Sequence, residues 1–312
     1  MLKKLSYLIV ASFLCIGIYC TAQTEPQVKR IDINKNEPIS GYYMVTEPAG
    51  KIDAVLVLLA GYSQQPENTL PETKLDSFAY HNNILTVSFA AGYEVYARQN
   101  VVNNLTAVLQ DVIKRYHADP SKFVLGGFSA GGTIALRYVE LCNQFPDKYP
   151  IHPKAVFTVD SPIDVFGTWE LLEQIVKENY SDMAVAEANS AMQMMQKDRG
   201  IPKDNIAKYA EVTPFCMNAS YCNNEVYLKE TAVRTYHEID VNWRLINRMQ
   251  SVHNANYEFS AELIKRLMMM GNKKAQFVQS TRKGMRANGM RHPHSWSIVD
   301  EAECIEWIKS VI

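Results

Sequence analysis

The stretch GGFSAGG at residues 126–132 decides the fold of this chain. An apolar run, Lys122–Gly126, leads into it, and a helical spacing of apolar residues follows it. The first pattern predicts a buried strand and the second a helix, so the glycines are predicted to form a sharp turn between them. Gly127 and Gly131 stand two positions before and two positions after Ser129. Small residues at these positions let a serine occupy a strained turn above the carboxyl end of a strand.

Strand and helix patterns alternate on both sides of this turn. Continuous apolar runs predict buried strands, more weakly for the last two, at Ala54–Leu59, Ile84–Phe89, Ala155–Val159, Ala232–Tyr236 and Ala275–Gln279, and Gly41–Val45 predicts an edge strand. Apolar residues at three- and four-residue spacing predict helices over about 102–116, 134–142 and 298–312. This order predicts an α/β fold with a mainly parallel central sheet and helices on both faces.

One segment, from about residue 163 to about 230, interrupts the alternation. It contains no strong strand pattern, but 171–176 and 184–195 have the composition of helices. Pro202 and Pro214 break the remainder. We therefore expect a helical insertion over the sheet rather than a second domain.

The first residues have the features of an export signal. Lys3 and Lys4 precede an apolar run that ends near Tyr19, and small residues follow up to Ala22. This order predicts a signal peptide over 1–22 with cleavage after Ala22, which leaves one domain over 23–312 in a secreted or periplasmic protein. Acylation at Cys20 and an uncleaved anchor are the alternatives.

The composition excludes several classes of protein. The 312 residues carry a formal net charge of −1, and 47% of them are hydrophobic. A disordered chain is poorer in apolar residues, and a nucleic-acid binder that acts through bulk charge has a basic excess. We therefore expect a folded protein with no nucleic-acid partner.

Four cysteines lie beyond the predicted signal peptide. Cys216 and Cys222 are close together in a polar stretch, where a local disulfide and two free thiols are equally compatible with the sequence. Cys142 and Cys304 fall on the apolar faces of predicted helices, so we expect them to be buried thiols.

The serine turn resembles the nucleophile elbow of the α/β-hydrolase superfamily, and the chain looks like an esterase-like member. The similarity of layout runs from about Tyr42 to Ile312, and the turn at Gly127–Gly131 is its most specific part. The resemblance implies an α/β-hydrolase fold, with the insertion at about 163–230 where many members carry a lid. It also implies a serine–histidine–acid triad in the chain order Ser, Asp or Glu, His.

The triad histidine is expected after the last strand, where His292 and His294 compete. We prefer His294, because a histidine followed two residues later by an aromatic residue resembles the family pattern. The acid is expected after the strand beside the histidine strand, where Asp240 is preferred. Asp160, at the end of the fourth buried strand, and Glu238 are the alternatives.

The resemblance also implies an oxyanion hole made of two backbone N–H groups. One belongs to Ala130, the residue after the nucleophile, and the other to Tyr62 in the loop after the first buried strand. Family members often have His-Gly in this loop, whereas this chain has Ala60-Gly61, so the match there is partial.

The resemblance implies a serine hydrolase that cleaves an ester-type acyl bond through an acyl-enzyme, and the predicted signal peptide adds that it is secreted. The expected catalytic residues are Ser129, Asp240 and His294, and Gly127 and Gly131 are the elbow glycines. A peptidase or acyltransferase of the same fold, or an inactive binding protein, are the alternatives. We expect a small-molecule acyl substrate, no cofactor, no metal and no stable membrane association, and the oligomeric state is left open.

Overall fold

The computed structural model describes residues 26–281 and 284–312, so the predicted signal peptide at 1–22 lies outside the described residues. The described chain contains one eight-stranded sheet with the strand order β1-β2-β4-β3-β5-β6-β7-β8. The strands are Val28–Asp32, Tyr42–Thr46, Ala54–Leu59, Ile84–Phe89, Phe123–Phe128, Ala155–Val159, Ala232–Glu238 and Ala275–Ser280, named β1 to β8. β2 pairs antiparallel with β1 and with β4, and all the other pairs are parallel. The predicted α/β class with a mainly parallel sheet is confirmed.

Helices cover both faces of this sheet. The α-helices of the described residues are Leu75–Tyr80, Gln99–Tyr116, Ala130–Gln144, Val165–Glu178, Asp182–Arg199, Ile206–Ala210, Val241–Arg248, Tyr257–Met269 and Glu301–Val311, named α1 to α9. None of them is long and apolar enough to cross a membrane. The helix expected over 298–312 begins later, at Glu301, because the Asp300 side chain accepts from Glu303 N and caps it there.

Strand β3 shows why the central strands read as unbroken apolar runs. Val55, Val57 and Leu59 belong to the core under α2, α3 and α8, whereas Leu56 and Leu58 belong to the core under α1 and α9. Successive side chains in a strand point to opposite faces, so both faces need apolar residues when both are covered. Burying one such side chain contributes about 1.5–3 kcal/mol.

Strand β1 was not predicted. Four of its five residues are exposed, and the sequence VKRID has no apolar periodicity. Its pairing with β2, together with the ion pair between Lys29 and Glu47, holds it at the sheet edge. A strand formed by backbone pairing without burial leaves no hydrophobic pattern in the sequence.

The segment between β6 and β7, where the sequence predicts a helical insertion, contains α4, α5 and α6. These helices pack with Tyr96 in a small core that includes Phe166, Trp169 and Tyr209. A disulfide between Cys216 and Cys222 lies in the same cluster. Of the two readings left open for these cysteines, the structure has the disulfide. Cys142 and Cys304 are buried thiols.

Candidate active site

Ser129 lies between β5 and α3 with φ 52° and ψ −128°, a conformation that a non-glycine residue rarely adopts. Such strain costs on the order of 1–3 kcal/mol and persists only where the surroundings enforce it. A Cβ on Gly127 would collide with the backbone of Gly131, and a Cβ on Gly131 would collide with the carbonyl of Leu59. The structure therefore has the sharp strand-to-helix turn that the sequence predicts, and close backbone contact explains both glycines.

The serine opens onto a cavity of about 490 Å³ that His294, Tyr62 and Ala130 also line. Ala130 is the first residue of α3, so its N–H has no acceptor within the helix. Tyr62 follows Gly61, whose own N–H donates to the Gln64 side chain at 2.7 Å. The two residues expected to form the oxyanion hole thus lie at the same cavity as the serine.

The ring of His294 is held by a carboxylate and by aromatic packing. Its Nδ1 lies 2.7 Å from Oδ2 of Asp160. The ring of Phe128, the residue before the serine, packs against it at a centroid distance of 4.5 Å. An ionised carboxylate only accepts hydrogen bonds, so Nδ1 carries the proton and Nε2 is the free, basic nitrogen of the neutral ring.

Asp160 is only 2% exposed and receives several donors at once. His237 Nδ1 lies 3.1 Å from Oδ1, and Arg244 Nη2 lies 3.4 Å from Oδ2. Asn256 Nδ2 donates to the backbone oxygen at 2.9 Å. Burial alone would raise the pKa of this carboxyl, but the hydrogen bonds from His237 and His294 outweigh it and hold the pKa well below its usual range. Asp160 is therefore ionised at neutral pH.

The expected pairing of His294 with Asp240 is corrected by this contact, because Asp160 holds the ring instead. Asp240 Oδ1 accepts from Trp243 N at 3.0 Å and caps α7, and its Oδ2 accepts from Arg291 Nη2 at 2.8 Å. One oxygen of Asp240 therefore caps the helix, and the other pairs with the Arg291 guanidinium. Asp160 follows its strand directly, and its left-handed backbone, with φ 42°, accompanies the contact with the imidazole.

Glu238, the third acid considered, is also engaged elsewhere. Its Oε2 accepts from Gly284 N at 2.6 Å, and its other oxygen pairs with Arg291. Burial is the main cause that raises the pKa of this carboxyl. Glu238 therefore anchors the loop that carries the histidines.

His292, the rival histidine, lines the cavity but has a different role. Its Nε2 lies 2.7 Å from Arg248 Nη2, and its Nδ1 accepts from His294 N at 3.0 Å. Burial, followed by the charges of His294 and Arg248, lowers the pKa of His292 to about 3. The ring is therefore neutral at neutral pH.

His237 was missed by the sequence reasoning. It is fully buried on β7, stacks on Phe277 at 5.3 Å, and its Nε2 has no hydrogen-bond partner in the described chain. Its only local signal is its position directly after the strand predicted at Ala232–Tyr236. The parallel pairing that joins Val159 to Tyr236 places it beside Asp160, which a single strand cannot reveal.

The cavity has two unlike walls. The insertion supplies an apolar wall of Leu171, Leu172, Ile175, Ala184, Ala188 and Ala191. Helix α7 supplies a polar one with Arg244, Asn247 and Arg248, next to Trp243. Among residues 26–281 and 284–312, no group of three or more His, Cys, Asp or Glu side chains is placed to hold a metal ion.

No protein-family model and no curated protein sequence matches this chain. Solved structures match it along most of its length. Carboxyl esterase 2 of the mycorrhizal fungus Tuber melanosporum is 13% identical with a TM-score of 0.58, covering 94% of this chain and 90% of its own. MPT51 of Mycobacterium tuberculosis is 13% identical with a TM-score of 0.59, covering 92% and 100%.

A third match is fluorophosphonate-binding serine hydrolase F of Staphylococcus aureus, which is 11% identical with a TM-score of 0.55 and covers 91% of this chain and 99% of its own. At these identities the likeness establishes the fold alone. The chain has the α/β-hydrolase fold that these esterases and serine hydrolases share.

Proposed function

We propose that this protein is a serine hydrolase that cleaves an ester-type acyl bond, with Ser129 as nucleophile, His294 as base and Asp160 as acid. One observation carries the proposal. The strained serine and His294 line the same cavity, and the His294 ring is held 2.7 Å from a buried, ionised aspartate. Order in the chain, Ser129 then Asp160 then His294, agrees with the order implied by the resemblance.

In the first step His294 Nε2 takes the proton of the Ser129 hydroxyl, and the oxygen attacks the carbonyl carbon of the ester. The proton makes the imidazole a cation, which the ionised Asp160 stabilises without itself becoming protonated. The N–H groups of Ala130 and Tyr62 donate hydrogen bonds to the carbonyl oxygen and stabilise the negative charge that develops on it. Removing one such donor lowers kcat by a factor of about 10²–10³.

The tetrahedral intermediate then collapses. His294 returns its proton to the leaving alcohol, and the acyl group stays on Ser129. Water enters, gives a proton to His294 and attacks the acyl carbon. His294 then returns this proton to the Ser129 oxygen as the bond between that oxygen and the acyl carbon breaks, which releases the acid and restores the serine.

The shape of the cavity supports a small-molecule substrate. A volume of about 490 Å³ is within the range of about 300–1,000 Å³ typical of small-ligand sites. Its apolar wall belongs to α4 and α5, so we assign the insertion the role of a lid that sets the size of the acyl or alcohol group. A carboxylic ester of moderate size fits this wall best.

The disulfide between Cys216 and Cys222 supports export to an oxidising compartment. We propose that the signal peptide at 1–22 is removed and that the enzyme acts in the periplasm or outside the cell. Mass spectrometry of the protein recovered from the periplasm or medium is expected to find Gln23 at the N-terminus. A mature protein that retains residues 1–22 would contradict cleavage.

Labelling with a fluorophosphonate tests the catalytic proposal. The wild-type protein is expected to gain one phosphonyl adduct on Ser129, and Ser129→Ala is expected to abolish both the adduct and the hydrolysis of small acyl esters. Ser181 lines the same cavity and caps α5, so Ser181→Ala is the matched control and is expected to be labelled. Full labelling of Ser129→Ala would refute the proposal.

A further inference from the structure

Helix α7 turns two arginines, one helical turn apart, toward the cavity beside the triad. Arg244 is about nine-tenths buried, and its Nε has no hydrogen-bond partner in the described chain. Its Nη2 reaches Asp160 only at 3.4 Å, on an oxygen that His294 already contacts at 2.7 Å. The charge of Arg244 is therefore only partly neutralised by the protein.

Arg248 is less well neutralised still. Its Nη2 lies 2.7 Å from Nε2 of His292, and that ring is neutral. Within residues 26–281 and 284–312, no ion pair joins Arg248 to a carboxylate. A guanidinium beside a neutral ring keeps its full charge, and most of its N–H donors stay available for another group.

The other charged residues at the cavity do not neutralise Arg244 and Arg248. Arg286 pairs with Glu72 at 3.2 Å and lies over the Phe128 ring. The carboxylates that line the cavity besides Asp160 are Glu178 and Glu187, and both belong to the insertion wall. Positive charge is thus concentrated on the α7 side, next to the reacting groups.

We propose that Arg244 and Arg248 bind an anionic oxygen group, a carboxylate or a phosphate, carried by the substrate of the serine hydrolase reaction. This inference rests on the proposed function. The planar fork of a guanidinium matches both anions through paired N–H donors. The substrate class is then an ester with a negatively charged group, held so that its carbonyl reaches Ser129.

Matched ester pairs test the inference by activity. p-Nitrophenyl hydrogen glutarate is compared with p-nitrophenyl valerate, and 4-acetoxybenzoate and 4-acetoxyphenyl phosphate are compared with p-tolyl acetate. At least one anionic ester is expected to have a higher kcat/KM than its neutral partner. Whether that ester carries a carboxylate or a phosphate shows which anion the arginines bind. Arg248→Gln is expected to lower that preference roughly 10- to 100-fold, since a hydrogen bond to a charged group is lost.

The control variant is Asn247→Ala, on the same helix and lining the same cavity, which should keep the preference. Arg248→Lys retains the charge without the fork and should give an intermediate value. Equal kcat/KM for charged and neutral esters, or an unchanged preference in Arg248→Gln, would overturn the inference while leaving hydrolysis at Ser129 intact.

Binding without turnover keeps the inference testable even if the catalytic proposal fails. Calorimetry measures the binding of 4-acetoxybenzoate and 4-acetoxyphenyl phosphate to Ser129→Ala and to the double variant with Arg248→Gln. At least one compound is expected to bind about tenfold or more weakly to the double variant. Equal affinities, or no binding to either protein, would overturn it. Absent fluorophosphonate labelling of the wild-type chain would instead count against the proposed function.

Discussion

Two aspartates follow neighbouring parallel strands at the same edge of the sheet, and they have opposite environments. Asp160, after β6, is buried and receives two imidazoles. Asp240, after β7, has a third of its side chain exposed, caps a helix and pairs with an arginine. The end of a parallel strand places an acid at the edge of the sheet where the active site lies. Its burial and the hydrogen-bond donors around it decide whether it pairs with the histidines or with the local backbone.

Distance from the strand explains the difference. Asp160 is the first residue after β6, and its N–H still donates to Tyr236 O on the neighbouring strand at 2.9 Å. It is thereby fixed to the sheet beside His237. Asp240 lies two residues past the end of β7 and is the N-cap of α7. Its side chain serves the local backbone, as the N-cap position favours.

The largest expected effect separates the two acids by kinetics. Asp160→Asn is expected to lower kcat/KM by about 10³–10⁴, because an amide that donates toward Nδ1 leaves the imidazole in the wrong tautomer. Asp240→Asn, the matched control, keeps a cap acceptor and should stay within about threefold of wild type. Circular dichroism checks that both variants fold. The reverse ranking of the two variants would break the assignment.

A smaller effect is expected on the buried side of Asp160. His237→Phe keeps a ring against Phe277 but removes a donor that lowers the pKa of the Asp160 carboxyl. The more basic carboxylate then stabilises a protonated partner more strongly. The acid limb of the kcat/KM profile should therefore move to higher pH, by up to about one unit, equivalent to about 1.4 kcal/mol.

His237→Asn is the matched control for this shift, because its amide N–H can replace the Nδ1–H donor toward Asp160. Its pH profile should lie close to that of the wild type. An unshifted acid limb in His237→Phe would show that the second imidazole does not act through Asp160.

The smallest effect is a change in stability without a change in chemistry. Asp240→Ala removes the cap of α7 and the contact with Arg291. It should lower the free energy of unfolding by about 1 kcal/mol. Urea denaturation measures this, and kcat on a small ester should remain at the wild-type value. A large loss of kcat in a folded Asp240→Ala protein would instead identify Asp240 as the triad acid.

The sequence predicted those parts of the fold that leave a periodic or steric signature. The buried strands follow from continuous apolar runs, and the turn at Ser129 follows from glycines that admit no Cβ. Strand β1 escaped because four of its five residues are exposed, so it forms by backbone pairing with little apolar burial. The disulfide stayed open because sequence spacing does not fix the approach of two thiols.

The site was predicted less completely than the fold. Ser129 and His294 were placed by local pattern, and both line the cavity. The choice between Asp160 and Asp240 depends on burial and on donors from other strands, which one chain segment does not encode. His237 was missed for the same reason, since only the packing of β6 beside β7 gives it a partner.

The central claim is that Asp160, and not Asp240, holds both imidazoles. Its most direct test is proton–nitrogen correlation NMR on protein with isotopically labelled histidine, which reports the tautomer of each ring. His237 and His294 are predicted to carry protons on Nδ1 in the wild type and in Asp240→Asn, and both signals should change in Asp160→Asn. A His294 signal that changes in Asp240→Asn but not in Asp160→Asn would contradict the account.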